Sequence, residues 1–124
     1  NLLPTTLEEE IRSQKTSVPK TYLKPYEYKG EPIIYSEIGG IGYDFKEKVE
    51  NKWGYGALVE NSEDLLEKVL ALLKEFDVRK EWIQGFCYTE LYDQFQEING
   101  LLTFNREPKF PPQKLKEKLD AMFY

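Results

Sequence analysis

Two glutamates stand where a carboxylate can act on a ligand. Glu37 closes a short apolar run, Pro32-Ile33-Ile34-Tyr35-Ser36, and lies just before Gly39-Gly40. Glu90 follows a second run of bulky residues, Ile83 to Tyr88, through Thr89. A carboxylate can serve as nucleophile or general base, and as general acid where its surroundings raise its proton affinity. Composition closes most other routes. The 124 residues contain no histidine, which removes Ser-His-Asp and Cys-His catalysis and His-ligated zinc. Cys87 is the single cysteine, so neither an internal disulfide nor a CxxC metal site can form. Asp93, Glu97 and Asn99 offer oxygens, but their spacing departs from the alternate-position pattern of a calcium loop around a central glycine. No metal or other cofactor is expected. What remains is carboxylate chemistry, and Glu37 reads as its catalytic residue.

The surrounding elements must position these groups. Parallel strands are expected near 32–36 and 83–88. Pro32 is tolerated at a first strand position, and Gly39-Gly40 breaks the first run. Between them, 62–76 reads as the best helix. Leu65, Leu66, Val69, Leu70, Leu72, Leu73 and Phe76 recur at helical spacing, behind Ser62 as N-cap and the acidic first turn Glu63-Asp64. Strand, long loop, helix, strand is a βαβ unit. Such units place their strands parallel with a right-handed crossover. Parallel strands share their carboxyl ends, so Glu37 and Glu90 are expected on one side of the sheet. That side is where ligands bind in α/β folds. A second helix is expected near 112–122, opened by prolines and faced by Leu115, Leu119, Met122 and Phe123. The loop from Glu37 to Asn61 carries Tyr43, Trp53 and Tyr55, and loops of that length are uncommon unless functional. A second long loop spans 91–105 around an Asn99-Gly100 turn. Residues 1–28 read as an extended lead-in, with a short helix over 6–14 under a Thr6/Glu9 capping box.

Aromatic residues make up 15% of the chain, as nine Tyr, seven Phe and two Trp. Tyr and Trp at that density fill cores, but their flat faces also stack on sugar rings while their rims hydrogen-bond. A net charge of −5, spread along the chain, argues against a nucleic-acid partner. No apolar run approaches the ~20 residues that a membrane span requires. The chain begins at Asn1-Leu2-Leu3-Pro4, with no initiator Met and no signal-peptide pattern. A processed, trimmed or excised chain is therefore expected.

Ile34-Tyr35-Ser36-Glu37-Ile38-Gly39-Gly40-Ile41 resembles the nucleophile segment of glycoside hydrolase family 2, the β-galactosidase and β-glucuronidase family. Gly85-Phe86-Cys87-Tyr88-Thr89-Glu90-Leu91-Tyr92-Asp93, followed by Glu97-Ile98-Asn99-Gly100-Leu101-Leu102-Thr103, resembles the last barrel strand of that family and its loop. Phe104-Asn105-Arg106-Glu107-Pro108-Lys109 resembles the closing stretch. The likeness covers roughly Lys29 to Tyr124. The family often has Gln where Glu90 stands.

The resemblance implies an α/β fold that is the C-terminal portion of a (β/α)8 TIM barrel, running from strand seven to the final helix. It implies part of a retaining β-glycosidase with Glu37 as nucleophile. Tyr88, Glu90, Trp53 and Tyr43 would contact the sugar. Retaining chemistry needs a second carboxyl about 5–5.5 Å away. In this family the acid/base lies in an Asn-Glu pair after the fourth strand, and no Asn-Glu dipeptide occurs here. A full barrel takes about 250 residues. The implied partners are therefore a carbohydrate substrate and either the remainder of the barrel or a second copy of the chain. Three other readings stay open: a non-catalytic carbohydrate-binding or interaction module, a small enzyme pairing Glu37 with Glu90, and an α/β domain with Glu37 merely solvated.

Overall fold

The computed structural model describes residue 25 and residues 29–46, 48–56, 58–81 and 83–123. The extended lead-in and short helix expected within 1–28 lie outside the described residues, Pro25 apart. Four elements follow in order: β1 (Ile33–Gly39), α1 (Ser62–Asp77), β2 (Ile83–Thr89) and α2 (Pro112–Phe123). β1 and β2 pair in parallel as a two-stranded sheet, so the chain is α/β. Both strands and both helices extend slightly past the expected limits. The largest difference is at β1, which continues through Glu37 to Gly39. Glu37 therefore belongs to the strand and not to the loop behind it.

α1 forms because its apolar residues recur every three or four positions. Leu65, Val69, Leu73 and Phe76 make the buried stripe. Its N-cap is Asn61 and not Ser62. The Asn61 side chain accepts a hydrogen bond from the Asp64 amide at 2.8 Å, satisfying one donor that the first turn leaves free. Ser62 instead donates its hydroxyl to the Lys109 carbonyl, tying α1 to the segment before α2. The α1 stripe meets Ile41, Val59 and Phe110 in the main core, with Leu115, Leu119 and Met122 of α2 packed alongside. At the other end Phe76 and Ile83 form a smaller cluster with Tyr35, Phe86 and Phe123. Tyr35 meets Phe76 edge-on, with ring centroids 5.4 Å apart.

The sheet is irregular in a way that decides where Glu37 points. Tyr35 pairs with Phe86 and Ile38 with Tyr88, so Ser36 and Glu37 together oppose Cys87. That extra residue is a bulge. Strict alternation from Tyr35 would send Glu37 toward the helices and the apolar core. The bulge resets the period: Tyr35 and Ile38 both pack inward, while Ser36 and Glu37 are both exposed. A second irregularity lies between Ile33 and Ile34, where the Gln84 side chain accepts the Ile33 amide at 2.7 Å. The side-chain amide satisfies a backbone donor beside a break in the ladder.

Candidate active site at the carboxyl ends of the strands

Two glycines lock the strand ends together. Gly39 pairs with Thr89, and the Gly40 amide donates to the Thr89 carbonyl at 2.9 Å. Gly39 has φ +117, and a β-carbon there would lie 2.5 Å from the Thr89 oxygen and 2.9 Å from the Tyr88 ring. Only glycine fits that approach. Gly40, at φ +73, accepts from the Gly56 amide through its carbonyl at 2.7 Å, joining the strand end to the 53–56 segment.

The two long loops hold each other. The Trp53 amide donates to the Gln96 carbonyl and the Ile98 amide to the Trp53 carbonyl, at 2.9 and 3.0 Å. Gly42 bridges to Leu58, and Tyr92 to Leu102. The carboxyl ends of β1 and β2, residues 53–56 with Leu58, and the 91–103 segment thus form one hydrogen-bonded platform.

Glu37 and Glu90 lie on this side, in unlike surroundings. Glu37 is exposed, and no described group hydrogen-bonds its carboxylate. Glu90 is half-buried, and its Oε2 accepts from Gln94 at 2.9 Å, while its Oε1 is buried without a partner. Burial lifts the Glu90 carboxyl above its ordinary proton affinity. Glu97 and Asp93 add to the rise, and the Gln94 hydrogen bond and the Lys109 charge oppose it. Tyr88 packs inward over Gly39 and against the main core. Its buried hydroxyl has no partner, and burial holds that hydroxyl protonated well beyond the usual phenol range. Trp53 is exposed and stacks edge-on against Tyr55. Tyr43 is half-buried and packs against the main core. It lines a cavity of about 410 Å³ with Asp44, Lys52, Leu58, Val59, Glu60 and Ile98. The structure therefore leaves Glu37 and Trp53 exposed and Glu90 half-buried, turns Tyr88 inward and places Tyr43 at a cavity that none of these residues lines.

Residues overlooked in the sequence hold the platform in place. Lys109 is fully buried and its ammonium donates to Asp93 Oδ1 at 2.7 Å, to the Tyr43 carbonyl at 2.7 Å and to the Ile98 carbonyl at 2.8 Å. Asp93 Oδ1 also accepts the Gly100 amide at 2.8 Å. One cation thereby ties both long loops to the start of α2. The cue was a lysine set among Pro108, Phe110, Pro111 and Pro112, an apolar context that a surface lysine rarely has. Asn99 is also fully buried, and neither atom of its amide finds a partner. Among the described residues no cluster of three or more His, Cys, Asp or Glu forms a metal site, and no helix is long and apolar enough to cross a membrane.

Compared with protein-family models and with curated proteins, the chain matches none.

Proposed function

We propose that this chain is the C-terminal part of a (β/α)8 barrel in a retaining β-glycosidase of the β-galactosidase type, with Glu37 as its nucleophile. The observation that carries the reading is the bulge at Ser36-Glu37. It turns a carboxylate out of the apolar core and presents it beside the shared carboxyl ends of two parallel strands. Bulges next to active sites re-aim side chains in this way. Glu37 attacks the anomeric carbon and the leaving oxygen departs with a proton, giving a glycosyl-enzyme ester; water then hydrolyses the ester. The acid/base that gives and takes that proton comes from outside this chain. Glu90 hydrogen-bonds a sugar hydroxyl or a neighbouring side chain. The paired strands have no further neighbour among the described residues, which supports completion by the rest of the barrel or by another copy.

The test is covalent trapping. A 2-deoxy-2-fluoro-β-galactoside with a dinitrophenyl leaving group needs little acid assistance. In the assembled enzyme it should label the peptide containing Glu37, and Glu37→Gln should abolish both labelling and turnover. Near-normal turnover in that variant sinks the assignment. A second reading, a non-catalytic carbohydrate-binding module, draws on the lack of any described hydrogen-bond donor at the Glu37 carboxylate. Sugar binding without labelling would favour it.

A further inference from the structure

Exposed aromatic rings gather on the loops that follow the two strands. Phe95 and Tyr55 are 75% and 67% exposed, and Trp53 and Phe104 are each 43% exposed. They form two pairs. Trp53 meets Tyr55 at 5.2 Å between centroids and at 89°, and Phe95 meets Phe104 at 5.8 Å and 41°. The pairs sit on one frame, because the Trp53 backbone is bonded to Gln96 and Ile98, adjacent to Phe95. Phe95 lies in a tight turn closed by reciprocal bonds between Gln94 and Glu97, with φ +53. A bulky residue rarely adopts that conformation. The chain thus holds a strained backbone and leaves a large ring in water, and neither feature serves its own core.

We infer that Trp53, Tyr55, Phe95 and Phe104 form a stacking platform for the pyranose rings of an oligosaccharide, beyond the ring that reacts at Glu37. This rests on the proposed glycosidase reading for its direction, since the platform continues from the carboxyl ends of the strands. The ring types favour a sugar over a protein partner. Four of the exposed apolar groups on these loops are aromatic, with Leu58 and Leu91 the aliphatic exceptions, and Gln94, Gln96 and Glu97 supply polar groups in the same turn as Phe95. Flat rings rimmed by amides and carboxylates match C–H faces rimmed by hydroxyls. The net charge of −5 disfavours single-stranded nucleic acid, the other common stacking ligand.

Calorimetric titration of the chain with β-1,4-linked galacto- and gluco-oligosaccharides of two, four and six sugars tests the platform without requiring catalysis. Affinity should rise roughly 3- to 10-fold from the disaccharide to the tetrasaccharide, the gain expected when one more ring is stacked. Trp53→Ala and Phe95→Ser should each remove that gain, while Val78→Ala, an exposed apolar residue at the far end of α1, should preserve it. Affinity independent of chain length overturns the platform, and so does length dependence that survives both aromatic variants. Loss of self-association in Phe95→Ser by light scattering, with no oligosaccharide bound by the parent chain, also overturns it, in favour of a protein contact. Trapping at Glu37 without length-dependent binding removes the platform and keeps the glycosidase; length-dependent binding without trapping does the reverse.

Discussion

The Lys109 knot ties together the loops that follow the two strands, and the Glu37 bulge lies within the first strand, yet the two treat charge in opposite ways. At Lys109 a full positive charge is taken out of water and met by Asp93 and two backbone carbonyls. At Glu37 a full negative charge is turned into water and met by no described group. A buried cation is retained only if its surroundings compensate it, and removing one partner of such a pair is costly. An exposed carboxylate costs the fold almost nothing to keep or to lose. The contrast separates residues that build the platform from a residue that the platform presents.

The sharpest way to break this comparison is to remove the cation. Lys109→Met keeps the length of the side chain and leaves Asp93 buried without its counter-charge. It should destabilise the chain by about 3–5 kcal/mol, measured by urea unfolding. Replacing both partners, as Lys109→Met with Asp93→Leu, should recover part of that loss, because the desolvated anion is gone as well. A single variant with unchanged stability would show that the ammonium is not what holds the two loops.

The next largest effect belongs to the glycine hinge. Gly39→Ala places a β-carbon 2.5 Å from the Thr89 carbonyl, at a φ of +117 that L residues avoid. The expected loss is about 2–3 kcal/mol from strain and displaced pairing. The effect should concentrate at the strand ends, so amide exchange at Gly40 should accelerate more than exchange within α1. Uniform acceleration would mean that the hinge is not a local lock.

How much of this was legible in the sequence follows from the kind of interaction involved. α1 was legible because its stripe is periodic and local, and the parallel pairing because strand, helix, strand leaves few topologies. The bulge was not legible. Nothing in Tyr35-Ser36-Glu37-Ile38 announces that one residue is to be skipped, because the register is fixed by Phe86 and Tyr88 on the other strand. The N-cap was misplaced by one residue since Asn61 and Ser62 are both good caps, and only the Lys109 carbonyl claims the serine hydroxyl. The knot itself joins Tyr43, Asp93, Ile98 and Lys109, residues as far as 66 positions apart; the apolar setting of Lys109 hints at its burial, but one-dimensional patterning does not name its partners. The resemblance places Tyr43 and Tyr88 with the sugar site, and the sequence alone does not say whether an aromatic near a strand end packs on a core, as Tyr88 does, or lines a cavity, as Tyr43 does.

A smaller effect should come from Glu90, with its sign set by burial. Its folded-state carboxyl binds a proton more tightly than the ordinary value of 4.5. Such a group favours the folded state fully below that value, and the contribution fades as pH rises through the higher folded-state value. At neutral pH the Glu90 charge therefore weakens the fold. Glu90→Gln keeps a hydrogen-bonding partner for Gln94 and removes the charge. It should raise the urea midpoint at pH 7 by an amount equivalent to roughly 0.5 kcal/mol, discounted for partial exposure. Below about pH 4, where the native residue is itself protonated, the two proteins should converge. A variant that is less stable at pH 7, or equally shifted at both pH values, would mean that the Glu90 carboxylate is better compensated than its orphaned Oε1 suggests.

The smallest expected change in stability is at Glu37. With no described hydrogen bond to lose and a side chain already in water, Glu37→Gln should shift unfolding by no more than about 0.5 kcal/mol. The same substitution is the one proposed to abolish glycosyl transfer. That pairing is informative because it excludes the commonest reason for an inactive variant, loss of the fold. A carboxylate that served structure would register in both measurements, and one that was merely solvated would register in neither. Unchanged unfolding with lost trapping is the signature of a group that the bulge presents for chemistry. A stability loss above 1 kcal/mol would instead assign Glu37 a structural partner and remove the reason for reading the bulge as catalytic.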